Sequence, residues 1–186
     1  MNLEHKRVLV TGGEGFLGSH IVDKLHEHGC ADVVSTRHVD YDLRRREEVC
    51  EMYRAYTPDV VIHAAAMCGG IQSCSANPAR FLYDNLTMNT EILEGAREYN
   101  VEKFVAISSV CAYPLNVALP AKEEDIWNGY PEATNAPYGI AKRVLLEQCK
   151  AYRKQYSMNA IGLIPVKCMD PETVLSQSAR TSSLPS

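Results

Sequence analysis

Seven residues near the start of the chain, Gly12-Gly13-Glu14-Gly15-Phe16-Leu17-Gly18, constrain its fold more than any other stretch. They follow an apolar run, Arg7-Val8-Leu9-Val10-Thr11, that reads as a buried strand. From Phe16 to His28 the apolar residues Phe16, Leu17, Ile21, Val22 and Leu25 then repeat with a helical period, and Gly29 stands at the stop. A strand that turns through glycines into a helix meets three demands: a tight turn, close approach of backbone to a pyrophosphate, and close helix–strand contact. The helix then points its N-terminal amides at the phosphates. Glycines 12, 15 and 18 fit that spacing, and the alternative register from Gly13 fits as well.

The remaining chain alternates in the same way. Val33–Thr36, Val60–Ala65, Phe104–Ile107 and Ala160–Ile164 read as further strands, with helices over Glu47–Tyr56, about Ala79–Tyr99, and Tyr138–Tyr156. The strands are continuous apolar runs, so both faces of their sheet should be covered. This predicts an α/β fold, a doubly wound parallel sheet of Rossmann type with helices on both faces, over residues 1–166. Ligands of such sheets bind at the carboxyl ends of the strands. Gly12 to Gly18, Arg37, Ala64, Ala65, Ala66, Ile107, Ser108 and Pro165 all fall at such ends and are expected to bind a dinucleotide.

The end of the second strand bears on which dinucleotide. NAD sites commonly place an acid there to hold the ribose 2′-hydroxyl, but here the residues are Thr36-Arg37-His38, with no acid until Asp40. A guanidinium suits the 2′-phosphate of NADP. Glu14 works against a second anionic group in the turn, so NADP(H) is favoured over NAD(H) on the strength of Arg37. Asp42 and Leu43 are expected at the adenine.

Tyr138-Gly-Ile-Ala-Lys142 supplies the chemistry. Residues four apart share a helix face, which sets the lysine ammonium near the phenol. A fixed cation favours phenolate, so the phenol pKa is expected to fall from about 10 towards neutrality. Ser109, at the end of the fourth strand, would donate a hydrogen bond to the substrate oxygen. Tyr138 and Lys142 would also contact the cofactor. Together with the glycine turn, these residues point to nicotinamide-dependent carbonyl chemistry.

Composition excludes other classes. The net charge is -4, and the only basic run, Arg44-Arg45-Arg46, is followed at once by Glu47-Glu48, which leaves no electrostatic footprint for nucleic acid. No apolar run is long enough for a membrane span, so no membrane role and a cytoplasmic location are expected. Seven cysteines include no C-x-x-C pair and no ligand spacing with histidine, so neither a metal site nor a disulfide framework is expected.

The stretches Ala65-Ala66-Met67-Cys68-Gly69-Gly70-Ile71, Asn85-Leu86-Thr87-Met88-Asn89, Ser109-Val110-Cys111-Ala112-Tyr113-Pro114 and Asn128 through Lys142 resemble the extended short-chain dehydrogenases/reductases, and within them the GDP-L-fucose synthase family. The resemblance spans about residues 6–166. It implies NADP(H)-dependent 3,5-epimerisation and 4-reduction of GDP-4-keto-6-deoxymannose. Tyr138 would be the proton donor, Lys142 its partner and ribose contact, Ser109 the oxygen binder and Cys111 the acid/base of epimerisation. A GDP-sugar is the implied partner, and a homodimer is left open.

Two other readings stay open: a different nucleotide-sugar epimerase or dehydratase, or a catalytically silent cofactor-binding fragment. The chain departs from the family pattern at Glu14, at Ser108, and after Pro165-Val166, where Lys167-Cys168-Met169-Asp170-Pro171-Glu172-Thr173 follows. Loss of one base after the Val166 codon would produce these residues from the family's pattern. The expectation is therefore a frameshifted chain lacking the substrate lobe, with residues 167–186 a disordered tail. An authentic variant tail is the alternative.

Overall fold

The computed structural model describes residues 2–166, so the expectations for the tail lie outside the described residues. Within them, β1 (Arg7–Thr11), β2 (Asp32–Thr36), β3 (Val60–His63), β4 (Lys103–Ile107) and β5 (Ala160–Leu163) form a parallel sheet in the order β2-β1-β3-β4-β5. Five α-helices connect them: α1 (Phe16–Glu27), α2 (Arg46–Tyr56), α3 (Ile71–Ala76), α4 (Pro78–Glu98) and α5 (Ala136–Tyr156). This is the Rossmann-type arrangement that the strand–helix alternation predicts.

Register sets where a ligand can lie. Thr11 pairs with Thr36 on one side and His63 on the other, His63 with Ala106, and Ile107 with Leu163. The strands therefore end nearly level, and the segments that follow form one rim.

Alternate residues of β1 enter two cores. Leu9 joins Val61, Phe104 and Ala106 under Met52, Tyr53, Ile92, Leu93 and Leu145 of α2, α4 and α5. Val8 and Val10 join Val60 and Leu25 beneath α1. Both faces are thus covered, though unevenly: at the β5 edge, Leu163 remains half-exposed.

The elements differ from their sequence outlines mainly at their ends. Helix α4 starts at Pro78 and α5 at Ala136, before Pro137, because a proline in the first turn gives up an amide that has no helical partner. Strand β3 stops at His63, and Ala64 and Ala65 turn outward into the rim. The short helix α3 has no counterpart in the sequence outline. Its six residues span less than two turns, too few to show a period.

Candidate active site

The rim encloses a cavity of about 840 Å³. Its wall contains Gly12, Glu14, Gly15, Phe16, Leu17 and Gly18 from the glycine turn, Arg37 and Leu43 beyond β2, and Ala64 to Ala66 beyond β3. Ile107, Ser108, Ser109, Tyr138, Lys142 and Pro165 of the expected set also line it. Three expected residues do not reach this wall. Gly13 is buried beneath the turn, where an added Cβ would lie 2.3 Å from the Ser35 Cβ, so it serves the β1–β2 contact. The carboxylate of Asp42 is taken by Arg44, whose Nε and Nη2 donate at 2.8 and 2.7 Å, and this holds its pKa down at about 2. Cys111 sits half-buried inside a short 3-10 turn, Val110–Ala112, one residue beyond the wall.

The turn itself is built for close approach. Gly12 has φ +72°, and a Cβ there would lie 2.8 Å from the Ala65 backbone. A Cβ on Gly18 would lie 2.0 Å from the Gly12 carbonyl oxygen, so helix and turn touch backbone to backbone. No side chain caps α1, and its first turn carries no acid. Its leading amides are therefore available to an anion, with the helix dipole in support. A cavity of this size with such a cradle fits a dinucleotide pyrophosphate.

On the facing wall, Tyr138 and Lys142 lie one turn apart at the start of α5. The Lys142 Nζ donates to the Ile107 carbonyl at 2.8 Å and lies 5.7 Å from the centre of the Tyr138 ring. The Cys111 amide donates to the Ser109 hydroxyl oxygen at 3.2 Å, and the same hydroxyl neighbours the Tyr138 phenol. The expected fall in the phenol pKa is not what the structure gives. Burial raises Tyr138 to about 12, and the neighbouring Ser109 opposes this only in part. Burial also lowers Lys142 to about 8. Desolvation leads both shifts, and the ammonium is held by a backbone carbonyl rather than by the phenol oxygen.

A buried chain of hydrogen bonds ties the two walls together. The Asn89 Nδ2 donates to the Ala141 carbonyl at 3.2 Å, so its Oδ1 accepts from His63 Nε2 at 3.0 Å. That fixes the tautomer, and His63 Nδ1 accepts from the Thr11 hydroxyl at 2.8 Å. Burial first, then the Lys142 charge, lowers His63 to about 3, so the ring stays neutral. Thr11 leads into the glycine turn and Ala141 precedes Lys142, so the chain fixes the spacing between the glycine turn and α5.

The wall also holds residues the sequence reading passed over, among them Tyr41, Arg44, Arg80, Asp84 and Met88. The last three recur at intervals of four along α4, a helix-face signal present in the sequence. Asp84 links Arg44 Nη1 at 3.1 Å and Arg80 Nε at 3.3 Å. Arg37 is paired too: its Nε and Nη2 donate to Asp40 at 2.7 and 2.8 Å, and Nε lies 3.8 Å from Glu14. Among the described residues, no group of three or more metal-ligating side chains could hold an ion, and no helix is long and apolar enough to cross a membrane.

The sequence matches the family model described as NAD dependent epimerase/dehydratase over residues 8–182. The chain belongs to this family. Among its curated relatives, a GDP-L-fucose synthase of Sinorhizobium fredii is 40% identical over 169 residues, covering 91% of this chain and 54% of that protein. A solved GDP-L-fucose synthetase from Naegleria fowleri bound to NADP superposes with a TM-score of 0.80 at 27% identity, covering 90% of this chain and 52% of the other. A GDP-mannoheptose C4 reductase from Campylobacter jejuni with NADP bound gives 0.82 at 28% identity, with 86% and 50% covered. This member of the epimerase/dehydratase family thus spans about half the length of the curated relatives it matches.

Proposed function

We propose that the chain is the cofactor-binding and catalytic half of an NADP(H)-dependent enzyme that epimerises carbons 3 and 5 of GDP-4-keto-6-deoxymannose and reduces its C4 ketone, giving GDP-L-fucose. The observation that carries this is the meeting of Ser109, Tyr138 and Lys142 on one wall of a cavity whose opposite wall is the glycine turn. A bound nicotinamide would supply the hydride. Ser109 turns its hydroxyl to the ketone oxygen when the sugar is bound. Tyr138 donates the proton that the new alkoxide needs, and its raised pKa keeps it protonated at neutral pH. Lys142, whose ammonium the Ile107 carbonyl holds beside the phenol ring, reaches the ribose. Cys111, in the same 3-10 turn that follows Ser109, exchanges the protons at carbons 3 and 5. Arg37 favours the cofactor's 2′-phosphate.

The likeness to the heptose C4 reductase supports a second reading, reduction of a GDP-sugar without epimerisation. One experiment separates the two: residues 1–166 joined to the C-terminal half of the Sinorhizobium fredii relative, assayed with the ketosugar and NADPH. Tyr138→Phe should slow reduction by roughly 10²- to 10⁴-fold while NADPH affinity stays within about twofold. Cys111→Ser should remove solvent-deuterium exchange at carbons 3 and 5 and spare reduction of an already epimerised ketosugar. Reduction without any exchange in the unmutated joined enzyme would favour the reductase reading, and exchange that survives in Cys111→Ser would remove the role given to Cys111. Reduction that survives in Tyr138→Phe would overturn both.

A further inference from the structure

Each guanidinium on the cavity wall already has a carboxylate partner. Arg44 and Arg80 share Asp84, and Arg44 also holds Asp42. Arg37, the residue placed to meet a 2′-phosphate, is gripped bidentately by Asp40 and approached by Glu14. The two carboxylates differ in position. Asp40 lies three residues further along the same segment and orients the guanidinium. Glu14 reaches across from the glycine turn, and its side chain lines the cavity next to that of Arg37. A phosphate monoester approaching Arg37 from the cavity therefore meets Glu14 at close range. Two acids face one guanidinium, so the cluster is net negative where the 2′-phosphate would sit.

We infer that Glu14 sets the cofactor discrimination of this site, weakening the preference for a 2′-phosphorylated dinucleotide so that the unphosphorylated form competes. This rests on the assignment of Arg37 to the 2′-phosphate. The Glu14 side chain is two-thirds exposed and Arg37 half-exposed, so solvent screens the effect and it should be moderate. Removing one exposed like charge at this range is expected to change affinity for the 2′-phosphate about three- to tenfold at low salt. The neutral hydroxyl of the other cofactor feels almost none of it.

The test is equilibrium titration of the 186-residue chain, wild type and Glu14→Gln, with NADPH and NADH by nicotinamide fluorescence, and by competition with adenosine 2′,5′-bisphosphate and 5′-AMP. Glu14→Gln should tighten NADPH and the bisphosphate about three- to tenfold and leave NADH and 5′-AMP within about twofold. The NADPH gain should shrink as salt rises. An unchanged NADPH affinity, or equal tightening of both dinucleotides, overturns the inference. Arg37→Met is the second arm. If it removes the NADPH preference while Glu14→Gln alters nothing, the Glu14 inference alone fails. If Arg37→Met leaves NADPH binding untouched, the assignment of Arg37 fails and takes the inference with it.

Discussion

Lys142 shows at the scale of one residue what a motif conveys and what it omits. The spacing of Tyr138 and Lys142 places them correctly on one helix face. It says nothing of depth, and depth decides their ionisation: Lys142 is 2% exposed, and both pKa values move in the direction that disfavours charge. The partnership of Arg37 with Asp40 is likewise invisible in a list of strand ends, although the acid is only three residues away. A folded pKa of about 8 against an ordinary 10.5 means that the unfolded chain takes up this proton first as pH falls. The contribution of Lys142 to stability is thus greatest above pH 10.5 and is lost as pH drops to 8, a change on the order of 3 kcal/mol. Urea unfolding of wild type and Lys142→Met across that range should show their stability difference moving in favour of wild type as pH rises. A flat difference would mean that the ammonium is better solvated than its burial implies. Tyr138 titrates with the opposite sign, above its ordinary 10, but it is common to both proteins and cancels.

Between elements, α5 meets the 3-10 turn after β4 backbone to backbone. A Cβ on Gly139 would stand 2.2 Å from the Cys111 carbonyl oxygen, a backbone atom that cannot rotate away. Gly139→Ala should therefore push Ser109 and Tyr138 apart. We expect a loss of about 1–3 kcal/mol of stability, as for other overpacked sites. Turnover in the joined enzyme should fall well beyond any change in NADPH affinity, because the cradle belongs to β1 and α1. Equal losses in binding and turnover would place the damage in the fold at large. This contact could not be read from the sequence, where Gly139 is one variable position inside the Tyr138–Lys142 motif. By contrast, β1 was legible to the residue, since a short apolar run ending in a glycine turn has few alternatives. The α4 face formed by Arg80, Asp84 and Met88 lies between these cases: its period was present, but nothing in the residues announced that this face looks into the cavity rather than the core.

For the whole molecule, the cavity has two built walls and the curated relatives are about twice as long as this chain. Reduction needs the ketone carbon held about 3–3.5 Å from the hydride, and that positioning is worth several kcal/mol of barrier. The 186-residue polypeptide assayed by itself should bind NADPH yet turn over GDP-4-keto-6-deoxymannose at less than about one-thousandth of the rate of the joined enzyme. Comparable rates would mean that these residues alone grip the sugar. The level ends of the parallel strands have a practical corollary on the other side of the sheet. Every wall residue follows a strand or faces that rim, whereas the reversals at Gly29, with φ +80°, and Asn100, with φ +55°, enter strands at the opposite end. An added Cβ at Gly29 meets nothing within 4 Å. A fluorescent domain spliced in after Gly29, or new termini opened at Asn100, would enter on the side of the sheet away from the cofactor. The fold thus comes with ports through which a dinucleotide sensor could be engineered without touching the residues proposed to bind the dinucleotide.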